Sequence, residues 1–283
     1  MTARLPAATA LAATSLGACL LVGAVAAPAS AGPEARTAST NVAAVTAPTA
    51  LARAAVAGVP KAGQCYRYTV KQSGASASPT APVACSAPHT AWTYFVGAFT
   101  GRAARITTPT SRLLDRPAMA ACYAKRVAVF GSAVHLTRIR FAWFVPTPAQ
   151  WARGARFFRC DAVAEVGASS YELLPQRLPS VLASPAGRER FLACARTATG
   201  VRVPCTLPHD ARAVAWLTLA PAAAPYPGPA AIEPLVRSRC TAALAALPGA
   251  PVLAWYSWPM AASWSAGHHA ATCFAADPPA PTV

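Results

Sequence analysis

The segment PTPAQWARGARFFRC, residues 146–160, recurs without a gap as PMAASWSAGHHAATC, residues 259–273. Both copies read Pro-x4-Trp-x2-Gly-x5-Cys: Pro146, Trp151, Gly154 and Cys160 in one, Pro259, Trp264, Gly267 and Cys273 in the other. Aromatic residues precede each copy, Trp143 and Phe144 or Tyr256 and Trp258. Identities at fixed offsets over so long a period mark a duplicated domain and not a solenoid.

A second motif repeats upstream. Cys85, Pro88 and His89 match Cys205, Pro208 and His209, with alanine two residues after each histidine. With Cys19 set aside, the cysteines fall into two sets of four: Cys65, Cys85, Cys122 and Cys160, then Cys194, Cys205, Cys240 and Cys273. An even, duplicated set in an exported chain reads as a disulfide framework.

Between these motifs the periodicity predicts one helix per copy. Met119, Tyr123 and Val127, spaced by four around Cys122, form one pattern, opened by Asp115 and Pro117 and stopped by Gly131. Ile232, Leu235, Leu244 and Leu247 surround Cys240 in the other, with Pro234 expected in the first turn. Strand patterns cover 66–71, 91–99, 139–145 and 156–166 in the first copy. They cover 190–196, 201–205, 211–219, 251–258 and 268–275 in the second. The Trp-x2-Gly segment should form a helical turn between the last two strands. The expected fold is α+β: two tandem disulfide-stapled modules, each a small antiparallel sheet with one packed helix. The modules are placed at 61–168 and 189–276, with a connector at 169–188. Four cysteines allow three pairings per module. The favoured one joins first with second across a hairpin and third with fourth from helix to sheet, each loop contributing about 3 to 4 kcal/mol.

The N-terminus reads as an export signal over residues 1–31. Arg4 precedes an apolar stretch, and Ala29-Ser30-Ala31 offers a cleavage site. Two other readings stand beside it: a retained membrane anchor, since the stretch is long enough to span, and a lipid anchor at Cys19. Residues 32–60, rich in Ala, Thr and Pro, read as a disordered linker, and 277–283 as a disordered tail. The expected location is secreted or extracytoplasmic and envelope-associated.

The formal net charge is +16, carried mostly by arginine, with 12% charged residues against 54% hydrophobic. Such a balance favours anionic partners such as cell-wall polymer or lipid. The arginines are scattered, so no specific nucleic-acid partner is expected.

Together, Gly63-Gln64-Cys65, Cys85 to His89 and the closing Pro-x4-Trp-x2-Gly-x5-Cys resemble the septum-formation domain of actinobacterial envelope proteins. The resemblance covers about 61–276 in two copies. The first is closer; the second carries Leu192-Ala193-Cys194 where the first has its glycine. It implies an exported or tethered protein with a role in cell division and carries over no catalytic residues.

His89 and His209 could be metal ligands or general bases, but one histidine per module without a carboxylate motif suits a ring that hydrogen-bonds the turn after the cysteine. Export favours oxidised cysteines over zinc ligands. His268 and His269, expected on one strand, should face opposite ways. Trp151 and Trp264 suit core packing better than sugar stacking. Asp161 and Glu165 follow Cys160, but the second copy offers only Asp277 in the matching stretch, so a glycosidase-like pair has no support. No nucleophile elbow, Walker loop, dinucleotide fingerprint or H-E-x-x-H is present. The expectation is a non-catalytic envelope protein without cofactor or metal, binding an envelope protein or anionic wall polymer in division or wall growth. The alternatives are a basic binder of wall polymer or lipid with no division role, and a His-dependent hydrolase.

Overall fold

Alternation, caps and glycine turns divide the chain into short elements in a computed structural model that describes residues 58–221 and 223–277. The expected signal segment with Cys19, the linker up to residue 57 and the tail from 278 lie outside the described residues. The first half contains β1 (Cys65–Tyr66), α1 (Val70–Ser73), β2 (Pro82–Val83), β3 (Ala91–Ala98), α2 (Gly101–Ala104), α3 (Asp115–Phe130), β4 (Ile139–Phe144), α4 (Pro148–Ala152), β5 (Phe157–Val166) and β6 (Ser170–Tyr171). Then follow α5 (Leu178–Ala183), α6 (Pro185–Arg190), β7 (Ala193–Arg196), β8 (Val201–Pro204), β9 (Ala211–Thr218), α7 (Pro229–Ala245), β10 (Leu253–Ser257), α8 (Ala261–Ser265) and β11 (Ala270–Ala276).

The two halves form antiparallel half-barrel sheets of the same topology. The first runs β2-β1-β3-β5-β4, with β6 added beside β5; the second runs β8-β7-β9-β11-β10. Even the irregularity is duplicated. Tyr94 is an extra residue on β3 between the pairs Thr93–Asp161 and Phe95–Cys160. Val214 is extra on β9 between Ala213–Phe274 and Ala215–Cys273. A bulge at one place in both sheets bends each strand over its helix.

α3 and α7 cover the sheets with rows spaced by four: Ala118, Cys122, Arg126 and Phe130 on α3, Ile232, Val236, Cys240 and Leu244 on α7. The buried row of α3 therefore runs through Cys122, with the expected Met119, Tyr123 and Val127 beside it and half-buried. Disulfides join Cys65 to Cys85 and Cys194 to Cys205 across the hairpins, and Cys122 to Cys160 and Cys240 to Cys273 from helix to sheet.

Four local expectations are corrected. The strand expected over 66–71 stops at Tyr66, because Thr69 and Gln72 form a capping box that starts α1. The first module has a strand that sequence patterning passed over, β2; both its residues are exposed, so it has no apolar alternation. α7 starts at Pro229, which puts Pro234 inside the helix and not in its first turn, where it removes the bond to the carbonyl of Ala230. β11 begins at Ala270, so His268 and His269 lie in the preceding turn.

Residues 169–188, read as a connector, hold β6, α5 and the start of α6. Leu174, Leu178 and Leu182 enter the core beneath α3 together with Phe191. The chain then crosses directly into the second sheet. Thr137 bridges Leu192, the Arg138 amide donates to the Phe191 carbonyl at 2.8 Å, and the Gly167 amide donates to the Arg202 carbonyl at 3.1 Å. The Arg138 guanidinium, fully buried, donates to the carbonyls of Glu165 and Arg190 and to the Glu172 carboxylate at 2.8 Å. Charge-assisted bonds of this kind hold the two modules in one register.

Candidate functional site

The duplicated motif residues make the same turn and core contacts in both modules, and His209 Nε2 additionally lies 3.2 Å from the Asp277 carboxylate. His89 is 1% exposed and donates Nδ1–H to the Ala87 carbonyl at 2.8 Å. His209 donates to the Leu207 carbonyl at 2.7 Å. Pro88 and Pro208 sit inside these turns, directly before the histidines. Trp151 and Trp264 are each 3% exposed. Their indole N–H groups donate to the Ile106 and Ala224 carbonyls at 3.0 and 2.7 Å. A buried, hydrogen-bonded indole has no open face for a sugar ring. Gly154 and Gly267 end the following turns at φ +92° and +85°, which explains why both copies keep glycine there.

The other candidates separate in the same manner. Asp161, fully buried, accepts from Thr93 Oγ1 at 2.7 Å, Tyr68 Oη at 3.2 Å and Arg159 at 2.7 Å. Glu165 points elsewhere, lying 3.5 Å from Arg140. Cys194, His209 and Asp277 bring ligand-type atoms within 4.8 Å of one another. The Cys194 sulfur is bonded to Cys205, so it offers no thiolate to a metal. His269 stacks under Trp264 at 4.2 Å. His268 turns the other way and stacks on Tyr123 of α3 at 4.4 Å.

That last contact lies in a cavity of about 120 Å³ at the seam between the modules, a place the repeat pattern does not mark. Arg126, His135 and Arg140 reach it from the first module, Arg202 and His268 from the second. Ser257, Ser263 and Thr272 add hydroxyl groups to its wall. Arg126 is 3% exposed; it donates to the Ile139 carbonyl at 3.0 Å and to His135 Nδ1 at 3.3 Å, and its Nε–H has no partner. Arg202 donates to the Ser257 hydroxyl. Burial, reinforced by the neighbouring Arg140, holds Arg126 at about 10 and Arg202 at about 9, so both stay charged at neutral pH. Burial and then Arg126 and Arg140 pull His135 down to about 4, and His268 is depressed further by the same surroundings, so both rings stay neutral.

Sequence patterning missed this cluster because its members are far apart in the chain and differ between the copies. Arg126 stands one turn after Cys122, where the second module has Leu244 one turn after Cys240. Arg202 and His268 stand where the first module has Pro82 and Ala155. One signal was present: an arginine four residues after the helix cysteine, on the row that faces the core.

No curated protein and no solved structure matches the chain. The family model described as septum formation matches residues 62–273 in a single span across both modules. The match is one span and not the two tandem copies that the sequence suggested, and this chain belongs to the septum-formation family.

Proposed function

We propose that this protein is a non-catalytic component of the cell envelope that binds or scaffolds partners during septum formation or wall growth. Family membership and four disulfides suited to an oxidising compartment support that reading. Among the described residues, no helix is long and apolar enough to cross a membrane. The observation that carries the reading is the use made of the duplicated side chains. The repeated Cys, His and Trp residues are engaged in disulfides, turns and core contacts, and the repeated glycines form turns, which leaves no repeated nucleophile and base for a reaction. Deleting the gene should disturb septation, and a tagged copy should concentrate at the septum. Normal septation with the protein dispersed in the medium contradicts the reading.

The net charge of +16 favours a second reading, a basic binder of anionic wall polymer or lipid without a division role. Retention on purified wall or anionic vesicles at low salt, lost steeply as salt rises, supports it. Absence of retention at low salt removes it.

A further inference from the structure

We propose that the cavity at the module seam is a binding site for a phosphoryl group, held by the guanidinium groups of Arg126, Arg140 and Arg202. The proposal specifies a ligand class for the binding role above and rests on that role only for its biological setting.

Among the described residues, the two buried arginines other than Arg126 have carboxylate partners: Arg138 has Glu172 at 2.8 Å and Arg159 has Asp161 at 2.7 Å. Arg126 is buried as deeply as Arg159, yet among the described residues it has no carboxylate within 4.0 Å, and neither has Arg202. Glu165 is the acid near the cluster, 3.5 Å from Arg140 at the solvent side. Three guanidinium groups, Arg126 buried and Arg140 and Arg202 half-buried, stand against one carboxylate and leave two positive charges around the recess. Uncompensated charge there is costly, and an anion from solvent would relieve it.

The cavity is about 120 Å³, several times the ~30 Å³ that one water occupies in the liquid. The Arg126 Nε–H is unpartnered. The Ser257 and Ser263 hydroxyls add donors to the wall, while Thr272 donates its own to the His135 carbonyl at 3.1 Å. Arg140, with its side chain 39% exposed, and Met260, 69% exposed, stand where a ligand enters.

These features favour phosphoryl over carboxylate. A phosphate monoester carries about −1.5 to −2 at neutral pH and so cancels the two surplus charges. Its oxygens point in tetrahedral directions, and donors here converge from both modules. A carboxylate would leave one charge unmatched. The cavity residues also break the repeat: Arg126 replaces the equivalent of Leu244, and Arg202 the equivalent of Pro82. The second module's ordinary packing at Leu244 shows that the scaffold does not need an arginine there.

The test is calorimetric titration of the full oxidised chain, at constant ionic strength set with chloride, with inorganic phosphate, glycerol 3-phosphate, dimethyl phosphate and acetate. Phosphate and glycerol 3-phosphate should bind at least about tenfold more tightly than acetate. Arg140→Gln, at the exposed rim, should weaken phosphate about tenfold without disturbing the fold, and Arg202→Gln should weaken it at least as much. Dimethyl phosphate, a monoanion, should bind more weakly than the monoesters; binding still tighter than acetate would support a phosphodiester polymer as the source, and monoester binding alone a terminal or free phosphate. No phosphate binding, acetate binding as tight as phosphate, or Arg140→Gln binding like the parent would each overturn the proposal. If Arg202→Gln fails to fold, the Arg140→Gln result decides.

Discussion

Tyr123 and His268 lie ring on ring across the seam between the modules, with centroids 4.4 Å apart and planes 1° from parallel. Tyr123 comes from the helix of the first module and His268 from the turn before the last strand of the second. The stack couples the two halves at the wall of the arginine-lined cavity. A double-mutant cycle with Tyr123→Ala and His268→Ala should give a coupling of about 0.5 to 1.5 kcal/mol in denaturant unfolding. Additive effects would show that the rings touch without holding the modules together.

The same histidine makes stability depend on pH. Burial and then Arg126 and Arg140 hold both His135 and His268 below their ordinary value of 6.5, with His135 at about 4. His268 is also faced by His135 and Arg202. With the folded pKa depressed, the unfolded chain takes up protons first as pH falls. The histidine contribution is therefore complete above about 6.5 and declines as pH drops toward about 4. Urea midpoints should fall between pH 7.5 and 5, and His268→Gln should flatten that slope. An unchanged slope in the variant would mean that His268 is not held neutral by its surroundings.

The disulfides should not be equivalent. Cys122 and Cys160 close a separation of 38 residues, whereas Cys194 and Cys205 close 11. Chain entropy then favours the longer loop by about 1 kcal/mol. Replacing Cys122 and Cys160 together with serine should cost about 3 to 4 kcal/mol, against roughly 1 kcal/mol less for the shorter pair. Equal losses would show that strain or residual structure outweighs loop length.

The fold was readable where the duplication constrained it. The gapless Pro-x4-Trp-x2-Gly-x5-Cys motif placed α4 and α8 between the right strands, and of the three pairings open to each module the favoured one is observed. The misses have physical causes. β2 has two exposed residues and no alternation to detect. Residues 169–188 lie outside the repeated motifs and looked like a connector, yet Leu174, Leu178 and Leu182 complete the first core. The cavity was hidden for the opposite reason. A repeat draws attention to what the copies share, whereas Arg126, Arg202 and His268 are what they do not share. Only three-dimensional contact between the modules brings them together.

The most direct measurement is an amide NMR titration of the oxidised protein with inorganic phosphate against a chloride control. Saturable shifts should gather at Tyr123, Arg126, Arg202, His268 and Thr272, on both sides of the seam. Unsaturable shifts scattered over exposed arginines such as Arg67, Arg105 and Arg112, with the seam unmoved, would contradict a phosphoryl site there.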